Sequence, residues 1–280
     1  MEAKSATHDA LASWPADRSL GLLVIARAAA PALASDLKEQ FAATLAPGDW
    51  WWLEPENAVS GDSLLPNYHW AALREYRGVD AARACLALIR DHPEGAGIAV
   101  HLARPAPQLF RGLFDFVQRL LARLPIRISE QPLTVDERWL GGVNPSAAQI
   151  ERIRTLPQDE PVGVLNMHRF NARATDPYTG EATTGRALGH RYMRRGLLTF
   201  TRVGGHISWA GAGAGQLHGP AEAAWHELAL VWYPGRGAFD AMSNNPAFHR
   251  VIPYRKAGLS LAEVSMARIS AGSRVQELRA

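Results

Sequence analysis

Asparagine and histidine side chains two positions apart in an otherwise apolar run give this sequence its clearest chemical signal. In VGVLNMHRF, residues 162–170, strand alternation puts Val164, Asn166, His168 and Phe170 on one face and Leu165 and Met167 on the other. A histidine titrating near neutrality can take or give a proton, and an asparagine amide can hold a developing oxyanion. His206 and Ser208 share a face of a second strand. In a third, Trp225, Glu227, Ala229, Val231 and Tyr233 face one way, and His226, Leu228, Leu230 and Trp232 face the other. A helix-covered face should be apolar, so Asn166, His168 and Glu227 are expected to look into an interior between two sheets, with Glu227 near His168 and His206. In this reading His168 is the acid/base. Asn166 and His206 polarise or orient, and Glu227 orients or assists. Arg255 is expected to clamp a substrate carboxylate or else to tie the last helix to the sheet. Trp209, Trp225, Tyr233 and Phe170 supply aromatic walls.

Each assignment has a plainer counterpart. His168 reads equally as a histidine hydrogen-bonded inside the sheet, and Glu227 as a strand-edge carboxylate in water. His168, His206 and Glu227 would suit a two-histidine, one-carboxylate metal site, but they lie on separate strands without a local ligand spacing, so no metal and no cofactor is expected. AGAGAGQLHG, residues 210–219, is not a phosphate-binding loop, since it lacks the GxxxxGK[ST] pattern, and is expected to be a flexible hairpin or lid. Cys85 falls on the apolar stripe of a helix and reads as core. The serine-hydrolase motifs Gly-x-Ser-x-Gly and Ser-x-x-Lys are absent.

The elements that must position these residues follow from apolar runs and their punctuation. Strands are expected at Leu20–Arg27, Asp49–Leu53, Tyr68–Tyr76 and Gly97–Arg104, with helices at Ala32–Leu45 and Val79–Asp91 and a polar loop at Glu54–Pro66. This βαββαβ order is that of a ferredoxin-like unit. An amphipathic helix at residues 107–124, with Leu109, Leu113, Phe116, Val117, Leu120 and Leu121 as its apolar stripe, leads to an irregular stretch, Pro125–Pro145. Ser146 then caps a short helix, Ala147–Leu156. The second half repeats the pattern: strand Val162–Phe170, a polar insertion Asn171–Thr184, helix Arg186–Val203, strands at His206–Ala210 and Trp225–Tyr233, a helix starting at Gly237, and a closing segment, Ala262–Ile269. YHWAALREYRG, residues 68–78, aligns with WHELALVWYPG, residues 225–235, and LVIAR, residues 23–27, with LNMHR, residues 165–169. Val24 and Ala26 then stand where the second half carries Asn166 and His168, so the polar groups belong to the second half alone.

Three stretches of the second half, VGVLNMHRF, RYMRRGLLTFTRVGGHISWAG and WHELALVWYPGRGAFDAMSNNPAFHRVIPYRKAGL, resemble the uncharacterised family of domains of unknown function 1330, within the dimeric α+β barrel superfamily. The resemblance implies ferredoxin-like sheets with helices on one face, packed sheet to sheet. Phe248-His249 stands where that family usually has an aromatic–glutamine pair. The first half matches the superfamily only in element order. The superfamily includes cofactor-independent monooxygenases, lactone isomerases, polyketide cyclases, haem-dependent enzymes and ligand-binding modules, so fold constrains activity little. The resulting expectation is an enzyme acting on an apolar or aromatic small molecule by acid/base chemistry, of isomerase, cyclase or cofactor-independent monooxygenase type. A non-catalytic ligand-binding or assembly module is the alternative.

Composition bounds the rest. The chain has 280 residues, 47% hydrophobic and 20% charged, with a net charge of +3 and one cysteine. That excludes a disordered chain, a disulfide framework and a multi-cysteine metal site, and it fits a cytoplasmic location. No long apolar run supports a membrane span, and Arg27 together with an acidic start argues against a signal peptide. The basic group Arg186, His190, Arg191, Arg194 and Arg195 reads as a solvated helix face or as an anion site, and no nucleic-acid motif is present. The expected organisation is a tail at 1–17, α+β ferredoxin-like units at 18–106 and 159–272, linker helices at 107–158 and a tail at 273–280. A small-molecule ligand is the expected partner, and there is room for a second copy of the chain.

Overall fold

Apolar runs of strand length, separated by glycine, proline and asparagine turns, require sheet, and the amphipathic helices between them supply its cover. The computed structural model describes residues 11, 13–15, 17–26, 39–40, 51–58, 70–92, 97–122, 140–219 and 224–269. The N-terminal half holds β1 (Ser19–Ala26), β2 (Trp51–Ala58), β3 (Trp70–Arg77), α1 (Asp80–Asp91) and β4 (Ile98–Pro105). Helices α2 (Gln108–Ala122) and α3 (Ala147–Arg154) connect it to the second half. There β5 (Val162–Phe170) is followed by the short strands β6 (Ala174–Thr175) and β7 (Ala182–Thr183), then α4 (Gly185–Thr201), β8 (His206–His218) and β9 (Glu227–Tyr233). The last elements are α5 (Arg236–Ser243), α6 (Pro246–His249), α7 (Ile252–Gly258) and β10 (Leu259–Ile269).

The long strands close into an antiparallel barrel in the order β1-β3-β2-β10-β5-β9-β8-β4. Each half contributes its strands in one order, β4-β1-β3-β2 and β10-β5-β9-β8, and the seams between halves are β2·β10 and β4·β8. Ala72 lies opposite Val24 as Ala229 lies opposite Asn166. The interior is filled by alternate residues of both halves: Leu23, Ile25, Leu73, Ala99, Leu165, Met167, Trp209, Trp225, Leu228 and Leu230. The opposite faces carry the helices. In the first half Leu22, Val24, Ala72 and Val100 pack on Cys85 and Ile89 of α1. In the second, Val162, Val164, Val231 and Tyr233 pack with Ile153, Phe200, Ala238 and Met242.

This arrangement reverses the expected orientation of the polar residues. Asn166, His168 and Glu227 face the helices, and it is Leu165, Met167, Leu228 and Leu230 that fill the barrel. The reason is that both faces of the sheet are covered. Two sheets closing on each other need the larger aliphatic set, whereas the helix-covered face of the second half retains a cavity that polar groups can line.

Two further expectations, for Glu54–Pro66 and for the glycine-rich segment, are corrected, and the α2 stripe proves to be exposed. The strand β2 continues through Glu54–Ala58, because β10 is long enough to pair with it, and Pro55 is accommodated beside a bulge between Met266 and Ala267. The glycine-rich AGAGAGQLHG segment is barrel strand along most of its length. The stripe of α2 faces outward, with Leu109 87%, Leu113 62%, Phe116 65% and Leu120 53% exposed. This helix docks through its polar side instead: Arg111 pairs with Glu75, Asp115 with His206, and the Gln118 side-chain oxygen accepts from Ile207 N. Ser146 caps α3 as expected, in a reciprocal pair with Gln149. The expected helix over Ala32–Leu45, of which only residues 39–40 are described and are helical, most of the tail at 1–17, the tail at 273–280 and residues 125–139 with Trp139 lie outside the described residues. No helix among the described residues is long and apolar enough to cross a membrane.

Candidate functional site

A cavity of about 180 Å³ lies between the sheet of the second half and helices α4 to α7. Its walls are mostly apolar, with Ile150, Val164, Phe200, Val231, Phe239 and Phe248 among them, and its polar groups include Asn144, Asn166, His168, Tyr192 and Arg255. An apolar pocket with a few convergent polar groups is the usual form of a small-molecule site.

Backbone devices bring these groups together. The strand β5 carries Asn166 and His168 at alternate positions, and β9 places Glu227 directly opposite His168. Arg255 rides on α7, a short helix entered through Val251 and Pro253. The C-terminal end of α7 is held against the end of β5, where Asn171 N donates to Gly258 O and Asn171 Nδ2 to Ala257 O. The start of α4 packs on the same spot: a Cβ at Gly185 would lie 2.2 Å from Gly258 O, so glycine is required there. Ahead of α3, Gly141 and Gly142 take φ values of 78° and 64°, open to glycine at little cost, and turn the chain so that Val143 O and Asn144 reach Arg255.

The hydrogen bonds fix the protonation pattern. Arg255 donates from Nε to Asn144 Oδ1 at 3.2 Å, from Nη2 to Val143 O at 2.9 Å and from Nη1 to His168 Nε2 at 3.0 Å. Arginine has no acceptor, so Nε2 of His168 is the accepting nitrogen and Nδ1 carries the proton, which it donates to Glu227 Oε1 at 3.3 Å. Burial pushes His168 below its ordinary 6.5, and the neighbouring Arg255 charge adds to this against the pull of Glu227, so His168 is neutral. Burial alone would lift Glu227, but the hydrogen bond from His168, helped by nearby Arg186, holds it below the usual carboxylate range. Tyr192 is raised by burial and stays protonated.

Arg255 is only 6% exposed, and burial lowers its pKa. It remains charged, since a guanidinium does not lose its proton in proteins. Its three acceptors are all neutral, and among the described residues no carboxylate pairs with it. Five N–H groups less three used leave one on each terminal nitrogen. Tyr192 lines the same cavity, and the centroid of its ring lies 5.9 Å from the guanidinium carbon.

Of the residues singled out from sequence, His168, Asn166, Glu227 and Arg255 come together here, and Tyr233 lines the cavity, its hydroxyl donating to Met242 Sδ at 3.2 Å. Asn166 donates to Val164 O at 3.1 Å. Phe170 does not line the cavity: it packs with Leu259 and Ala262 and stacks on His226 at 6.0 Å. His206 is elsewhere, 3.6 Å from Asp115 of α2, so the His168–His206–Glu227 metal set is not assembled. Trp209 and Trp225 lie inside the barrel. Sequence reasoning missed Asn144, Val143 and Tyr192. The helical row Leu188, Tyr192, Gly196, Phe200 points Tyr192 toward the sheet, and the Gly141–Gly142 pair marks the turn that presents Asn144.

The molecule is thus a mixed α+β chain with a large, closed antiparallel sheet and a helix-covered cavity in its second half. No family model matches the sequence, and neither does any curated protein. The resemblance to domain family 1330 therefore has no family model behind it. Among solved structures, the chain is similar to RPA0582, a protein of unknown function from Rhodopseudomonas palustris, at 25% identity over 46% of this chain and 96% of that one, with a TM-score of 0.43. It is also similar to a chlorite dismutase variant from Candidatus Nitrospira defluvii, at 8% identity over 95% of each chain, with a TM-score of 0.45.

Proposed function

We propose that the cavity of the second half binds a small, largely apolar molecule carrying one anionic group, with Arg255 as the anchor. The supporting observation is the buried, positively charged Arg255, held by three neutral acceptors at the polar end of an apolar cavity. Burying a charge without a counter-charge is costly, and an anionic ligand supplies the missing partner. The two remaining N–H groups of Arg255 suit a carboxylate, and the Tyr192 hydroxyl adds a third donor. Engineered cavities of about 150 Å³ accept benzene, so benzoate is a probe of suitable size. The test is calorimetric titration with benzoate and with neutral benzamide. Benzoate is expected to bind at least about tenfold more tightly than benzamide, and Arg255→Met is expected to cost benzoate about 10- to 100-fold while leaving benzamide nearly unchanged, as a charged hydrogen bond of roughly 1.5–3 kcal/mol implies. Equal binding of both probes by the parent protein would sink the anionic reading.

A second reading adds a reaction. The Glu227–His168 pair favours it, because a ligand anion that draws Arg255 toward itself frees a histidine nitrogen backed by a carboxylate. This is the arrangement acid/base chemistry of isomerase, cyclase or cofactor-independent monooxygenase type needs. We also propose that each half is a ferredoxin-like unit, so that one chain closes a barrel of the dimeric α+β type. The common strand order of the two halves supports this. A homodimer of the whole chain and a cytoplasmic location remain proposals from sequence; light scattering tests the first and fractionation the second.

A further inference from the structure

The sheet floor of the Arg255 cavity changes chemistry along its length. At one end His168 lies opposite Glu227 and accepts from Arg255. At the other, Val164 lies opposite Val231 in the cluster that holds Phe200. Between them stands Asn166, flanked by Ala229 of β9 and Val264 of β10. Asn166 and these four neighbours, Val164, His168, Ala229 and Val264, all line the cavity, so the amide rises from the middle of its floor. Packing does not require a polar residue there. The matching position of the first half is Val24, which is fully buried against the helix side.

The amide is satisfied on one side only. Its Nδ2 donates to Val164 O at 3.1 Å, which fixes its orientation, since turning it over would set oxygen against oxygen. The planar amide then directs Oδ1 away from that carbonyl. No donor among the described residues reaches Oδ1, and the atom keeps accessible surface. Three of its four neighbours are aliphatic, and the fourth, His168, has both ring nitrogens engaged. An amide oxygen on such a floor costs free energy unless something donates to it. Asn166 is two strand residues, about 6.7 Å, from His168, on which Arg255 rests. That is comparable to the span of a benzene ring with a substituent on each side.

We propose that Asn166 sets the substrate class of this cavity: an aromatic acid with a hydroxyl across the ring from its carboxylate, of the 3- or 4-hydroxybenzoate type. The carboxylate sits on Arg255, and the hydroxyl donates to Asn166 Oδ1. The inference rests on the Arg255 reading for the carboxylate and on Asn166 for the hydroxyl.

Calorimetric titration of the intact protein at pH 7 tests this with benzoate, 3- and 4-hydroxybenzoate, and the donor-free 3- and 4-methylbenzoates. One hydroxybenzoate is expected to bind about three- to tenfold more tightly than benzoate and than its methyl counterpart, as one neutral hydrogen bond implies. Asn166→Leu, close to asparagine in size and aliphatic like Val24, is expected to erase that preference and to leave benzoate within about threefold. The ligand series on the parent protein needs no variant, so a misfolded Asn166→Leu leaves the comparison intact. Benzoate that binds while neither hydroxybenzoate exceeds its methyl counterpart overturns the proposal, leaves the Arg255 reading standing and gives Oδ1 to water. A preference that survives in Asn166→Leu also overturns it. Benzoate no tighter than benzamide removes the Arg255 reading instead. The hydroxyl preference is then read on 3- and 4-hydroxybenzamide against benzamide, and its absence there overturns the role of Asn166 as well.

Discussion

His168 has both ring nitrogens engaged, one as acceptor from Arg255 and one as donor to Glu227, so its tautomer is set by its neighbours. The pH dependence of folding follows. Its folded pKa lies below the ordinary 6.5, so as pH falls below that value the unfolded chain takes up a proton that the folded histidine refuses, and stability drops. Glu227, held below its ordinary 4.5, continues the loss at lower pH. His226 is also lowered, mainly by burial, and acts in the same sense as His168. Because His226 remains in both proteins, comparing the parent with His168→Gln isolates His168. The expected outcome is a smaller drop in melting temperature between about pH 7.5 and pH 5 in the variant. If a substrate is found, the same variant is expected to lose turnover about 100-fold while its benzoate affinity moves less than about threefold, since proton transfer by a positioned side chain contributes about 10²–10⁴-fold. An unchanged rate would remove His168 from the chemistry. His168, Glu227 and Arg255 were legible as candidates because histidine and charged residues stand out in apolar strands. Their common face was not, because alternation shows which residues share a side and not which side is the barrel.

At the scale of elements, type was legible and context was not. Val162–Phe170 is strand as expected, and the helix of Asp80–Asp91 matches its apolar spacing. The glycine run of β8 misled, since alternating Gly and Ala carry no hydrophobic period and read locally as a loop. In the barrel those glycines are clearance. A Cβ at Gly211 would lie 2.5 Å from the Trp209 ring and 2.8 Å from Arg104 O. The α2 helix shows the converse: its period was right, but long-range pairs to Glu75 and His206 turned its polar side inward. Two glycine-to-alanine changes separate the cases. Gly213→Ala forces backbone against backbone and is expected to destabilise by about 1–3 kcal/mol, the range for overpacking. Gly112→Ala in α2 meets nothing within 4 Å and is expected to stabilise by about 0.5–1 kcal/mol through helix propensity. Urea unfolding of both variants checks the signs, and a neutral Gly213→Ala would mean that β8 can shift without cost.

For the whole molecule, the decisive fact is that neither half owns the interior. Leu23, Ile25 and Leu73 come from one half and Leu165, Met167, Leu228 and Leu230 from the other, and all are at most 2% exposed. The two seams are equivalent in kind, since each joins the second long strand of one half to the fourth of the other. Unfolding of the intact chain should therefore be one cooperative transition, because opening either seam exposes both apolar faces at once. A chain beginning at Leu140 keeps the Arg255 cavity but bares its barrel face and leaves β8 and β10 as unpaired edges. Two such copies can restore both seams by pairing β8 of each with β10 of the other, a closed two-fold arrangement in which every edge is used. The expected result is a dimer by light scattering, with a melting temperature that rises with concentration. A stable monomeric fragment would show that the second half carries a sufficient core of its own, on the helix side alone, and that the shared interior serves to join the halves more than to fold them.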